Sequence, residues 1–310
     1  MHKGFTGHGV FVEGSPIVTL TRYKNYKTIP SMLNRIADML PDALRPAPDP
    51  TALIANFIRA MQDMSVKSVW LQLFNSHGEI DPNGNGATPQ LVSALRVAGI
   101  IPVGWGYCYS RNAATDLGLT LRVCQKYQLD AFVADVEPGN PVNGTPDTWN
   151  TADFTALIEG LADHFGTPNL GVSTFANIAK HEDALPVMRA AQPFVCMYAP
   201  QVYWFGNDPA PYVRTSLASW RNAGFATSLV ATAQSYWSLG EGTPAQSVME
   251  AKVATFISEL TSGDYGAIVG LNWYSAGGAN SSSDGAMSDP MIQAIAVGRL
   301  DQKPYAVGPP

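Results

Sequence analysis

Cysteine is scarce in this chain. Its three residues, Cys108, Cys124 and Cys196, each sit in an apolar segment, and an odd count without short spacing builds neither a disulfide framework nor a thiolate zinc site. They read as buried free thiols. Histidine is equally sparse: His2, His8, His77, His164 and His181 show no metal-ligand spacing, so no metal is expected. Charge is thin, at 14% of residues, and the balance of -6 contains no run of Lys and Arg. Neither a nucleic-acid partner nor an anionic membrane surface is expected of such a chain. No stretch is long and apolar enough to span a bilayer, and the opening "MHKGFTGHGVFVEGSP" lacks an apolar core of signal-peptide length. Work outside a cell, on a virion or beside a secretion apparatus would then need another export route, or a leader already removed.

Several catalytic signatures are missing as well. No GxGxxG or GxxxxGK[ST] follows an early strand, which argues against a nucleotide fold and leaves no cofactor to expect. No GxSxG and no Cys–His pair points to a serine or thiol nucleophile.

What the chain does have is apolar material, 46% of 310 residues, enough for a large core. It comes in short runs that read as strands: "PIVTLTRY" (16–23), "SVWLQLF" (68–74), "GIIPVGWGYCY" (99–109) and "DAFVADVE" (130–137), then "NLGVSTFA" (169–176), "FVCMYAPQVYW" (194–204), "ATSLVATAQSYW" (226–237) and "AIVGLNWYSA" (267–276). Most are continuously apolar, as parallel strands covered on their outer face should be. Helical patterns separate them at 49–64, 88–99, 113–128, 151–165, 181–191, 209–224, 244–263 and 289–300, several opening on Asp, Thr or an early Pro. Eight strands alternating with eight helices predict an α/β fold, a (β/α)8 TIM barrel in one domain over 1–310, with 1–14 as an N-terminal extension and 301–310 as a tail. A doubly wound open sheet is the alternative. The Gly, Asn and Ser clusters at 81–88, 137–150 and 277–289 follow strands two, four and eight, and so fall on the loops of the face where barrel enzymes keep their sites, although "NSSSDG" reads equally as a surface loop.

Strand four carries the chemistry. With a period of two, Val133, Asp135 and Glu137 face one way and Phe132, Ala134 and Val136 the other. The apolar set must pack against helices, so Asp135 and Glu137 face the barrel axis at its rim. Two acids close together in a partly dry mouth raise one pKa, which makes one of them a proton donor near neutrality. Glycosidic cleavage needs that donor and a neighbouring group to stabilise the cationic sugar. Other strand ends add aromatics and amides: Trp105 and Tyr107, Gln201 and Tyr203, Gln234 and Tyr236, Asn272 and Tyr274, with Trp273 opposite these last two. Such a mouth reads as a carbohydrate cleft, with a polysaccharide or amino-sugar oligomer as partner. "DPNGNG" begins like a calcium loop, but Val92 stands where the bidentate Glu belongs, so a turn is expected.

The segments "VGWGYCYSRN", "DAFVADVEP" and "NLGVSTFANIAKHEDALP" resemble family 25 glycoside hydrolases, the barrel lysozymes of peptidoglycan, whose fourth strand ends in Asp-x-Glu. The resemblance covers about the middle third of the chain. It implies Glu137 as proton donor and Asp135 as its partner. It departs at strand one, where "PIVTLTRYKNY" holds no acid although that family has an Asp there. Family 18 chitinases are similar in their DxxDxDxE pattern, which Asp130, Asp135 and Glu137 match at three acids with Val133 at the other, and in the strand-six "MYAPQVYW". That likeness implies a tyrosine holding the substrate acetamido group, for which Tyr203 is the choice. The sequence therefore points to a glycoside hydrolase of N-acetylated polysaccharide, peptidoglycan first, working by retaining or substrate-assisted cleavage. The alternatives are a non-catalytic carbohydrate-binding or structural barrel of a phage tail or secretion apparatus, suggested by the missing strand-one acid and the lack of a visible signal, and an enzyme of a small non-sugar metabolite.

Overall fold

A computed structural model describes residues 1–24, 26–27, 49–142, 144–205, 207–235, 246–262, 268–276 and 287–298. Tyr236, the 277–286 cluster and the 301–310 tail expected from sequence lie outside the described residues. In chain order the elements are β1 (Gly7–Val12), α1 (Pro16–Arg22), α2 (Pro50–Asp63), β2 (Ser68–Asn75), α3 (Thr88–Val97), β3 (Ile101–Tyr107), α4 (Ala113–Tyr127), β4 (Phe132–Asp135) and α5 (Thr151–Phe165). Then come β5 (Leu170–Phe175), α6 (Ala184–Ala191), β6 (Met197–Val202), α7 (Pro209–Asn222), β7 (Ser228–Gln234), α8 (Gln246–Ser262), β8 (Ile268–Tyr274) and α9 (Asp289–Val297). The eight strands pair in parallel with their sequence neighbours, and β1 pairs with both β8 and β2, which closes the ring. This is the (β/α)8 barrel that the alternation predicted.

One element was misread in the sequence. "PIVTLTR" is a helix, α1, and the first strand is "GHGVFV", inside the supposed N-terminal extension. Pro16 follows Ser15 at the first helical position, where its fixed φ fits and no N–H is required. The Thr21 hydroxyl donates to the Ile17 carbonyl at 2.7 Å, one turn back, and Thr19, Leu20 and Tyr23 bury the inner face. Three other helices begin on a capping side chain. Asp49 accepts from the Thr51 amide at 2.9 Å, Asn150 from Asp153 at 2.8 Å, and Asp208 from Ala210 at 3.2 Å. "DPNGNG" is a turn. Asp81 receives the amides of Gly86 and Thr88 at 2.8 and 3.1 Å and so anchors the start of α3.

The core has two parts. Outward strand residues such as Leu71, Phe132, Val172 and Leu229 pack under the helices, while a smaller cluster fills the barrel. That inner cluster is aromatic where branched aliphatics are usual. Phe5 meets Trp70 at 5.7 Å; Phe11 meets Trp70 at 4.9 Å and Trp105 at 5.4 Å; Trp105 meets Tyr107 at 5.3 Å. A column of rings thus rises from the barrel floor to its mouth. On the outer wall the register of β2 shifts between Gln72 and Phe74, which brings the Phe74 ring over Gly106 of β3. A Cβ at Gly106 would stand 2.5 Å from that ring, and the ring cannot retreat because it stacks on Phe132 at 6.0 Å, which stacks on Phe165 at 6.0 Å. Gly106→Ala is expected to destabilise the fold by about 1–3 kcal/mol, read as a lower urea midpoint with unchanged slope.

Candidate functional site at the barrel mouth

The C-terminal ends of the strands converge on the acids of β4. Asp135 points inward as its phase requires and is 5% exposed, while Glu137, two residues past the strand, is half-buried in the cleft. Gln201, inward on β6, ties them together. Its Nε2 lies 3.0 Å from Asp135 Oδ1, 2.7 Å from Glu137 Oε1 and 3.2 Å from Ser173 Oγ. One amide nitrogen, with two protons, thus faces three acceptors. The Asn140 amide donates to the other oxygen of Glu137. Gln201, expected to hold sugar, is instead bound to the carboxylates.

Burial pushes the Asp135 carboxyl well above the ordinary carboxylate range, the negative charge of Glu137 pushes it further and Glu13 adds to this, while hydrogen bonds from Ser173 and Gln201 oppose the shift. The raised pKa expected of the pair is carried by Asp135, the enclosed member.

The strand-one acid that the sequence reading missed is Glu13. It follows β1 directly and shares the inward phase of Phe11. The Tyr274 hydroxyl donates to it, and Tyr274 is also hydrogen-bonded to Tyr107. Burial raises the Glu13 carboxyl, and the Tyr274 bond opposes that. Its signal was present in the sequence: "GHGVFVE", like "DAFVADVE", is an apolar strand run ending in an acid at the inward phase.

These groups surround a pocket of about 240 Å³ lined by Phe11, Tyr107, Glu137, Gln201, Tyr203 and Tyr274, with Asp135 and Ser173 at its base. It opens on two sides. Past Tyr107 and Glu137 an arm of about 310 Å³ runs along Ser76, Tyr109, Asn140 and Asp147. Its wall is fixed by buried acids: Asp147 accepts from the Ser110 amide at 3.0 Å and the Ser110 hydroxyl at 2.6 Å, and Asp116 accepts from the Tyr109 amide at 2.9 Å. Burial, with the Asp147 charge adding to it, raises the Asp116 carboxyl to about 6 against the opposing Tyr109 bond. Past Gln201 and Tyr203 a second arm of about 510 Å³ runs between Phe175, His181, Phe205 and Tyr212. The cleft therefore crosses the mouth with the acids at its middle.

Four predicted contacts lie elsewhere. Trp105 faces inward but one layer down, fully buried, its Nε1 donating to the Val12 carbonyl at 3.2 Å. Asn272 is enclosed in the barrel beside Gly9 and Ser68. Trp273 faces the helices, with its Nε1 3.4 Å from His8 Nδ1 and its ring 6.0 Å from Phe256. Gln234 is buried, and its Oε1 accepts from the amides of Trp204 at 3.2 Å and Phe205 at 2.8 Å, so it shapes the loop after β6. The residues brought together are Asp135, Glu137, Gln201, Tyr203 and Tyr107, joined by Glu13 and Tyr274.

No family model matches the chain, and no curated protein matches its sequence. Its fold is similar to that of a chitinase from Chromobacterium violaceum ATCC 12472, with a TM-score of 0.54 and 12% identity over 96% of this chain and 100% of that one. The spore cortex-lytic enzyme SleL of Bacillus cereus is similar at 0.55 and 11%, over 94% and 74% of the two chains. A GH39 β-xylosidase from Caulobacter crescentus is similar at 0.54 and 12%, over 95% and 71%. At these identities the likeness is one of fold.

A carboxyl whose pKa is raised by folding contributes stability that is complete below its unfolded value and lost as pH rises through its folded value. Asp135→Asn removes that loss. Its melting temperature at pH 7–8 is expected to exceed the parent's by about 2–4 °C, with the difference closing below about pH 4, as read by calorimetry across pH.

Proposed function

We propose that the protein is a glycoside hydrolase of N-acetylated polysaccharide, with peptidoglycan as the foremost substrate. One observation carries this reading: two carboxyls, Asp135 and Glu137, line a tyrosine-walled pocket at the middle of an open cleft, and a third, Glu13, is hydrogen-bonded to Tyr274 of its wall. Glu137 is the group that protonates the glycosidic oxygen, because it reaches the cleft while Asp135 lies beneath it. A sugar ring seated over the acid pair excludes water from both carboxyls, and the proton that the pair then holds is delivered at Glu137, the member that reaches the cleft. Asp135, now anionic, stabilises the cationic sugar, and either the acetamido oxygen of the substrate or a carboxylate closes on the anomeric carbon from the other face. Tyr203 and Tyr107 offer hydroxyls to the acetamido and ring substituents. Two of the similar barrels are named a chitinase and a spore cortex-lytic enzyme, which agrees with the substrate direction of the sequence resemblances.

The non-catalytic reading drew on the lack of an acid at strand one and on the lack of a visible signal, and Glu13 removes the first of these grounds. A small metabolite would have no use for two arms leading away from the acids.

Glu137→Gln should lower reducing-end release from peptidoglycan and chitin fragments by roughly 10²–10⁴-fold without lowering the melting temperature. Near-parental turnover in that variant would end the assignment. Glu13→Gln should lower kcat by at least about tenfold, since it removes a carboxyl that holds the Tyr274 hydroxyl at the pocket wall while leaving an acceptor for it.

A further inference from the structure

We propose that the arm of the cleft beside Phe205 is a subsite for a sugar residue bearing a carboxylate, and that Lys180 is the group that recognises it. The inference rests on the glycosidase reading of the central pocket and names the substrate more closely.

Phe205 is the first observation. Its backbone has φ 46°, in the left-handed region that a bulky residue avoids, and its side chain is 52% exposed. Neither feature helps the chain fold. Both are nonetheless imposed from below: the buried Gln234 oxygen holds the amides of Trp204 and Phe205, and the Trp204 ring is buried 4.8 Å from Phe256. Strain maintained by a buried hydrogen-bond pair, with an aromatic ring displayed in water, is the mark of a binding platform. Its surroundings fit a pyranose. Tyr203, shared with the central pocket, stands edge-on to Phe205 at 6.3 Å, Tyr212 is 37% exposed, and Phe175 lies flat against His181 at 3.7 Å. A ring seated here is the next one along from the ring at the acids.

Charge is the second observation. Among the described residues, the arm past Tyr107 is lined by Asp135, Glu137 and Asp147 and by no base, whereas the arm beside Phe205 is lined by no acid and by the bases Lys180 and His181. Burial and the Lys180 charge hold the His181 pKa below its ordinary value, so the positive charge belongs to Lys180. Lys180 is exposed, and no ion pair holds it among the described residues. Lys180 also borders a neighbouring hollow that Glu182 and Asp183 line, but neither acid forms an ion pair with it among the described residues. A carboxylate on a sugar in the arm is the partner that this amine lacks. Two kinds of residue carry one: a uronic acid at C6, and an amino sugar with a lactyl ether at C3.

Isothermal titration of the full chain carrying Glu137→Gln tests this with three tetrasaccharides: the neutral N-acetylglucosamine tetramer, the peptide-free alternating N-acetylglucosamine and N-acetylmuramic acid tetramer, and the hyaluronan tetramer. At low salt an acidic tetramer should bind about fivefold more tightly than the neutral one, the worth of one half-exposed ion pair, and the advantage should shrink as salt is added. Which acid gains identifies the source of the carboxylate. Adding Lys180→Glu should bring the ratio of acidic to neutral affinity to one or below, and adding Phe205→Ala should weaken every tetramer about threefold or more. Equal affinities in the parent, or a preference that survives Lys180→Glu, would overturn the proposal while leaving the glycosidase reading in place. Failure of all three sugars to bind would overturn both.

Discussion

The barrel closes through β1, and β1 fits because Gly9 has no side chain. The strand pairs on one side with β8 and on the other with β2, with Gly9 level with both Asn272 and Ser68. A Cβ at Gly9 would lie 2.1 Å from Asn272 Oδ1 and 2.8 Å from Ser68 Oγ. With the strand seated there, Phe11 stands on the barrel axis, where rings from β2, β3 and β8 meet it at 4.9, 5.4 and 5.6 Å. Two residues later the same phase delivers Glu13 to the mouth. Closure, the central aromatic column and the third carboxyl are consequences of one strand placement.

The acids at the mouth are then subject to a constraint of their own. Among the described residues no Lys or Arg lines the central pocket, so its two carboxyls, with Glu13 behind Tyr274, are offset only by protons and amide or hydroxyl donors. Gln201, Ser173, Asn140 and Tyr274 supply such donors. Donors lower the repulsion without cancelling it, because like charges in a dry site cannot all ionise together. Burial and this repulsion together raise the Asp135 carboxyl. Had an arginine stood at Gln201, the same acids would be ionised and the site would serve as an anion trap for cations rather than as a proton donor.

Strand four was legible because two independent rules agreed on it. Period-two alternation assigned a face, and the apolar set Phe132, Ala134 and Val136 had to be the one under the helices. Strand one was illegible because local propensity pointed the wrong way. "PIVTLTR" is rich in β-branched residues, whereas "GHGVFV" carries two glycines, and only pairing on both sides makes a strand of it. Alternation also assigns direction without depth. Trp105 and Asn272 do point inward, but they lie a layer beneath the cleft. Gln234 stands at the right height, yet two backbone amides claim its oxygen, a loop contact that no pattern of residue types announces. Trp273 had the outward phase from the start.

The tyrosines complete the logic of the mouth. Burial drives the Tyr107 hydroxyl far above its ordinary pKa, and the charges of Asp135, Glu13 and Glu137 drive it further; Tyr274 is raised by burial and by the same neighbourhood. These hydroxyls stay protonated wherever the protein is folded, so they remain donors and take no part in titration near neutrality. Ionisation in the pocket is thereby confined to the carboxyls, and of these Asp135 and Glu13 are both raised by burial. The fold thus uses one cause, exclusion of water by the aromatic column and its tyrosine rim, for two ends: it raises the tyrosine hydroxyls, and it raises the carboxyls of Asp135 and Glu13.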